Sequence, residues 1–393
     1  MKALIVADAH LYRTPDGKVW TKTIYGNAFW QRYLEVFDEI DIAARMCRVS
    51  YDMVRDYLRV DGAHIHFRPM PMARGGKEYI RHLPQILKRA KEVVQGETCA
   101  VVRLPSIIAT FIYPHIRKQK IPHGIEVVAD PNEAFSNPLV RTVLTNQLKK
   151  AAQSANGAAY VTQFALQKSY PSYARIHGED ARHFEEYYSS ITLAPETLGE
   201  PRSFAGKKQF KLVHTSNNIS HDEKGHSIVI KAVKELRKRG HRVEVNFIGD
   251  GSMRQDFEKL AAELGIKKYV HFLGWFSSSE EICKVLQEND IFIFPSVSEG
   301  LPRAVIEAMA AGLPCVASPV GGIPELLPKE FLVGPKDVMG FSDTVEGLIT
   351  NTARMEAESL RNIGKAKEYI IPVLQNRRNH FYQKIKDLVK GQG

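Results

Sequence analysis

Short apolar runs recur along the chain at strand length, each followed by a stretch in which apolar residues return every three or four positions. In the first half the strand candidates are Ala3–Asp8, Ile40–Ala44, Ile65–Pro69, Ala100–Leu104, Glu126–Asp130 and Ala158–Thr162. In the second they are Lys211–Thr215, Val243–Gly249, Val270–Gly274, Ile291–Pro295 and Cys315–Ser318. Near-continuous apolar strands alternating with amphipathic helices predict an α/β fold with parallel sheets, because strands of that kind are covered by helices on both faces.

The 393 residues exceed what one core fills, so two domains are expected. Two prolines and two glycines among polar residues mark 193–208 as the linker. It divides 1–192 from 209–365, and 366–393 reads as a terminal helix bent near Pro372. In the first domain Trp30, Tyr33, Leu34 and Phe37 share one helical face and read as core. Asn27 suits the N-cap of that helix, and Gly26 lets the backbone approach a ligand closely.

The richest pattern is a strand–turn–helix–strand unit, Asp290 to Ser318. Pro302 suits the first helical position, and Gly312 with Pro314 marks the helix end. The turn Ser298-Glu299-Gly300-Leu301 therefore lies beyond a strand's carboxyl end and against a helix N-terminus. Free N–H groups and the helix dipole there suit a phosphate, placing Gly300, Leu301, Pro302, Arg303 and Ala304 around it. Glu299 and Glu307 are acceptors suited to sugar or ribose hydroxyls. Arg303 and Glu307 equally suit a surface pair four residues apart. Upstream, Lys224-Gly225 stands at the entrance of a helix near His226, where a lysine adds a point charge beside a diphosphate.

Residues 299–325, beginning Glu-Gly-Leu-Pro-Arg-Ala-Val-Ile-Glu, closely resemble the donor-site signature of the retaining glycosyltransferases of family 4, also called group 1. Lys224-Gly225-His226, Phe247-Ile-Gly-Asp-Gly251 and Phe272-Leu-Gly-Trp275 extend the likeness over most of 210–325. The resemblance implies the GT-B fold, two Rossmann-like domains facing each other across a cleft, with the terminal helix crossing back to the N-terminal domain. It implies transfer of a sugar from a nucleoside diphosphate to an acceptor hydroxyl with retained configuration, in polysaccharide, glycolipid or other glycoconjugate synthesis.

Under that resemblance Lys224 and the 300–304 helix entrance hold the diphosphate, Glu307 the ribose, and Glu299 the donor sugar. Gly274 and Trp275 border the base. Gly249, Ser216 and Asn217 complete the donor side, and Gly26-Asn27 borders the diphosphate from the other domain. Asp130 takes the place where relatives carry a His or Asp facing the reacting carbon; the same residue suits a cap before Pro131. Glu299, Asp130 and Lys224 are thus the catalytic candidates. Ile219 stands where the family usually supplies an arginine, a departure that leaves its role to neutral hydrogen bonds from Ser216, Asn217 and Asn218, or to another arginine such as Arg303 or Arg13. The chain has no Asp-x-Asp, and no metal or other cofactor is expected. Two other readings are a GT-B nucleotide-sugar epimerase and a silent sugar-nucleotide-binding scaffold of a glycan-assembly complex.

Charge adds one feature. The net charge of +10 divides evenly, 26 Lys and Arg against 21 Asp and Glu in residues 1–200 and 28 against 23 after them, so nothing points to nucleic acid. Locally, Arg68, Arg74, Lys77, Arg81, Lys88, Arg89 and Lys91 face only Glu78. That patch suits an anionic membrane or a lipid-linked acceptor as well as a solvated helix face, and the stripe Leu83, Ile86, Leu87, Ala90 suits lipid or core alike. Four cysteines without metal spacing suggest a reducing compartment, and no apolar stretch spans a bilayer. A cytoplasmic enzyme, peripheral on the inner face of the plasma membrane, is the expected setting.

Overall fold

The computed structural model describes residues 1–276 and 278–391. The chain forms two compact units, Met1–Ser189 with Gln375–Gly393, and Ser190–Leu374.

The first unit contains β1 (Lys2–Arg13), β2 (Val19–Thr21), β3 (Glu39–Arg48), β4 (Leu58–Arg59), β5 (Ile65–Pro71), β6 (Ala100–Leu104), β7 (His123–Val127), β8 (Gly157–Tyr160) and β9 (Phe184–Tyr187). Seven run parallel in the order β5-β3-β1-β6-β7-β8-β9. The chain steps outward from β1 through β3 to β5, then crosses back to β6, the doubly wound order. Ala3 to Ala7 are fully buried at its centre, as an apolar strand covered on both faces must be. Short β2 and β4 extend the end of β1 antiparallel. Strands of two or three residues carry no periodicity, so the sequence does not announce them.

Three local expectations are corrected. The strand expected at Glu126–Asp130 lies three residues earlier, as β7 ends at Val127, and Asp130 instead caps the short helix Pro131–Ala134, accepting the Asn132 N–H at 2.8 Å. Asn27 is not an N-cap. Gly26 holds that position, and the Asn27 amide turns to the carbonyls of Val60 and Asp61 at 3.4 and 3.2 Å. Pro372 does not bend a helix: it lies in the first turn of Ile371–Lys390, where a missing N–H costs nothing. Trp30, Tyr33 and Phe37 are fully buried core residues.

At the centre of this unit Glu126 is buried with every acceptor direction filled. Arg103, its register neighbour on β6, pairs with Oε2, and the Tyr33 hydroxyl donates to the same oxygen at 2.9 Å. Tyr188 and Tyr382 donate to Oε1 at 2.9 and 2.5 Å. Tyr382 comes from the helix Ile371–Lys390, whose residues from Gln375 onward belong to this unit.

The second unit holds β10 (Gln209–Asn218), β11 (Arg242–Asp250), β12 (Val270–Gly274), β13 (Ile291–Phe294) and β14 (Cys315–Ala317), all parallel, in the order β12-β11-β10-β13-β14. The winding reverses between β10 and β13, which opens a crevice at their carboxyl ends. Residues 193–208 are built into this unit: the Gly199 N–H reaches Ala310 O at 2.7 Å, the Arg202 N–H reaches Ser359 Oγ at 3.0 Å, and Phe204 joins the core. The passage from the first unit falls at Ser189–Ser190 instead.

Candidate active site

A cavity of about 480 Å³ occupies the crevice beyond β10 and β13. Thr215, Ser216, Asn217 and Asn218 at the end of β10 form one wall. Phe294, Glu299, Pro302, Arg303, Ala304 and Glu307 form the opposite one, while Lys224, Trp275, Phe276, Ser278 and Ile282 close the rest. Two strand ends and one helix start thus converge because the fold reverses its winding there.

The helix on that wall runs Arg303–Ala310 with Pro302 as its N-cap, one residue from the expected start. Its first backbone acceptance is the Ile306 N–H on Pro302 O. The N–H groups of Arg303, Ala304 and Val305 have no acceptor among the described residues. The turn feeding the helix is braced from below. The Ser318 hydroxyl holds Ser296 O, and the Ser296 hydroxyl donates to Ser298 O at 3.1 Å. Gly321, at φ +53°, passes so close to the Glu299 carbonyl that a Cβ would collide with it.

Lys224 and Glu299, assigned to different parts of a donor, meet here as an ion pair at 2.5 Å. The ammonium also lies 3.4 Å from Ser298 O, which leaves a third donor free toward the cavity. Gly225 fixes this approach. Its φ is +78°, and a side chain would run into Pro295 O at the end of β13. Opposite charges at the ends of neighbouring strands were the available signal for the pair, but it needs the strand order, which sequence pattern does not give.

The Glu307 carboxylate makes no hydrogen bond or ion pair among the described residues; its backbone carbonyl is engaged by the Ala311 N–H. Burial pushes its carboxyl pKa up, with Arg303 partly opposing. Arg303 is exposed and likewise has no ion pair among the described residues, so the alternative of a surface pair does not form. Below them, the buried rings of His214 and His226 lie 4.5 Å apart. Burial lowers both pKa values, His226 to about 4, so both are neutral near pH 7 and add no charge beneath Lys224.

Of the donor-side residues expected from sequence, Ser216, Asn217, Lys224, Trp275, Glu299, Pro302, Arg303, Ala304 and Glu307 line this one cavity. Gly225, Gly249, Gly274, Gly300 and Leu301 are not on its lining; Gly249 packs against the carbonyl of Ser216, which is. Gly26, Asn27 and Asp130 belong to the first unit. There, Asp130 Oδ1 accepts the Asn132 amide and, at 2.7 Å, the Tyr170 hydroxyl. Ile219 is fully buried in the core, and its N–H and carbonyl bind Asp250 O and the Met253 N–H. It offers nothing to the cavity, where Arg303 is the arginine present. Asn218, offered with Ser216 and Asn217 in place of the missing arginine, also lines it, whereas Thr215, Phe276, Ser278, Ile282 and Phe294 were missed, being apolar or neutral residues that carry no motif.

Two units with Rossmann-type strand order define the GT-B class of fold. The crystal structure of Anabaena HepE in complex with UDP covers 100% of this chain and 100% of its own at a TM-score of 0.64 and 16% identity. Residues 200–368 match the family described as Glycosyl transferases group 1. It is 24% identical over 371 residues to Protein CapJ of Staphylococcus aureus, covering 93% of this chain and 91% of CapJ. It is 35% identical over 185 residues to 2-deoxystreptamine glucosyltransferase of Streptomyces kanamyceticus, 43% of this chain and 47% of that enzyme.

Proposed function

We propose that this glycosyltransferase takes a sugar from a nucleoside-diphosphate sugar and passes it, with retained anomeric configuration, to a hydroxyl of a glycan, glycolipid or other glycoconjugate. The observation that carries the reading is one cavity in which a cation, a helix start without a side-chain cap and a carboxylate without a partner among the described residues stand together. HepE, crystallised with UDP, has the same fold.

In this reading the diphosphate lies against the N–H groups of Arg303, Ala304 and Val305, with Arg303 and Lys224 beside it. Glu307 accepts the ribose hydroxyls, and Glu299, held by Lys224, accepts from the donor sugar. The bond between the anomeric carbon and the phosphate oxygen breaks, and its electron pair stays on the diphosphate. The acceptor oxygen bonds to that carbon on the same face and gives its proton to the leaving phosphate oxygen. Negative charge therefore grows where fixed amides and cations already point, usually the largest contribution to catalysis in such sites. The charge is met by protein groups, and the reaction needs no divalent metal.

Thermal-shift screening against UDP-, GDP- and ADP-sugars, followed by assay of donor hydrolysis and acceptor transfer in EDTA, tests this. One nucleotide should stabilise the protein, and slow hydrolysis should survive the chelator. Binding without turnover would leave a sugar-nucleotide scaffold, and interconversion of the donor's sugar would make it an epimerase. Wild-type affinity in an Arg303→Ala/Glu307→Ala protein would refute the site.

A further inference from the structure

The helix Gly75–Glu92 of the first unit is apolar on two sides. Ile86 and Ala90 face inward and are buried. Ile80, Leu83 and Leu87, at spacings of three and four, face outward with 77%, 38% and 49% of their surface exposed. The apolar stripe expected from sequence is therefore divided between core and solvent.

The basic patch is divided in the same way. Arg68 is engaged by Asp41 at 2.9 Å and Glu97 at 3.0 Å, Arg74 by the Tyr12 hydroxyl at 2.6 Å, and Arg89 by Glu92 at 2.5 Å. Lys77, Arg81, Lys88 and Lys91 remain exposed beside the outward apolar stripe. Their one ion pair among the described residues is a distant Lys88–Glu92 contact at 4.0 Å.

This helix packs beside Ile107–Lys118, which packs beside Pro138–Ala152. Between the latter two opens a cavity of about 730 Å³ with Arg117, Lys118 and Lys150 on its lining and no carboxylate. On its wall the Gln147 amide accepts from the Thr110 hydroxyl at 3.0 Å and leaves its own buried N–H₂ without a partner among the described residues. Leu139 and Val143 stand exposed on the helix Pro138–Ala152.

We propose that these three helices form a docking face for an anionic bilayer, with Ile80, Leu83 and Leu87 entering the headgroup region and the cavity between the second and third helices taking a lipid phosphate. An apolar ridge with lysines and arginines along its side is the pattern of an interfacial helix, and long basic side chains reach phosphates while their stems lie on the acyl boundary. A second copy docked face to face would oppose four cations to four cations, so charge selects lipid over self-association.

The test is flotation of the full chain with phosphatidylcholine vesicles, with and without phosphatidylglycerol, at low and high salt. Partition into the anionic vesicles is expected, weakening with salt. Replacing Lys77, Arg81, Lys88 and Lys91 by Gln should lower it by roughly 100- to 1000-fold at low salt, from about fivefold per cation. Ile80→Ser/Leu83→Ser/Leu87→Ser should lower it about tenfold or more. Arg117→Gln/Lys118→Gln/Lys150→Gln should weaken it by roughly tenfold or more. All are surface positions, so circular dichroism and the nucleotide thermal shift should stay unchanged, which separates failure here from failure of the donor site. No partition, partition undiminished in the variants, or apolar variants that abolish a dimer in sedimentation instead, would overturn the proposal.

Discussion

Glu126 in the first unit and Glu307 in the second are both carboxylates drawn away from water, and their surroundings treat them in opposite ways. Glu126 receives Arg103 and three tyrosine hydroxyls. Burial alone would raise its pKa, but these partners outweigh it and the pKa falls. Glu307 receives nothing among the described residues, and burial leaves its pKa raised. A charge whose partners are all supplied by the fold is spent on holding the fold together. One left without partners at the edge of a cavity costs stability and is available to a ligand.

The largest expected effect comes from breaking the satisfied member. Glu126→Ala strands Arg103 in the core and should cost about 3–5 kcal/mol. Urea unfolding should show the loss in the transition of the first unit. A transition unmoved by the change would deny Glu126 its role there. The wild-type contribution also has a defined pH window: a lowered native pKa means stability present above 4.5 and lost only as pH falls through the native value.

Next comes the unsatisfied member. Glu307→Ala should weaken binding of the nucleotide sugar by about 1.5–3 kcal/mol, roughly 10- to 150-fold in Kd by calorimetry. Because the ionised form is the acceptor and its pKa is raised, wild-type affinity should decline as pH falls through a point above 4.5. The variant should show no such decline. Equal affinities, or parallel pH profiles, would remove Glu307 from the ribose.

The smallest effect sharpens the contrast by sign. An acid with a raised native pKa holds its proton more tightly when folded, so stability falls as pH rises from 4.5 through that pKa. At pH 7 and without ligand, Glu307→Gln should therefore raise Tm, by an increment worth about 1 kcal/mol or less. A lower Tm would mean that the carboxylate is already stabilised by the fold.

Much of this was legible in the chain. The long apolar strands and the Glu299–Glu307 unit were visible because their period and their turn residues are local properties. Lys224 and Glu299 were visible singly, but their pairing depends on β10 and β13 being neighbours, a fact of topology. Ile219 could be read only as a missing arginine, whereas the structure gives it a positive role as core. The stripe Leu83, Ile86, Leu87, Ala90 could not be divided into core and solvent halves, because a helix with apolar residues on two faces has no single burial direction in its period. Glu126 passed unnoticed as a site because its partners lie as far as 256 residues away in sequence.

The Tyr382 hydroxyl on Glu126 has a consequence for biosynthesis. A growing polypeptide can assemble β1 to β9 early, yet the acid at their centre lacks one of its donors until residues 375–390 have left the ribosome. The first half of the enzyme should therefore wait, incompletely closed and dependent on chaperones, while the second half is still being made.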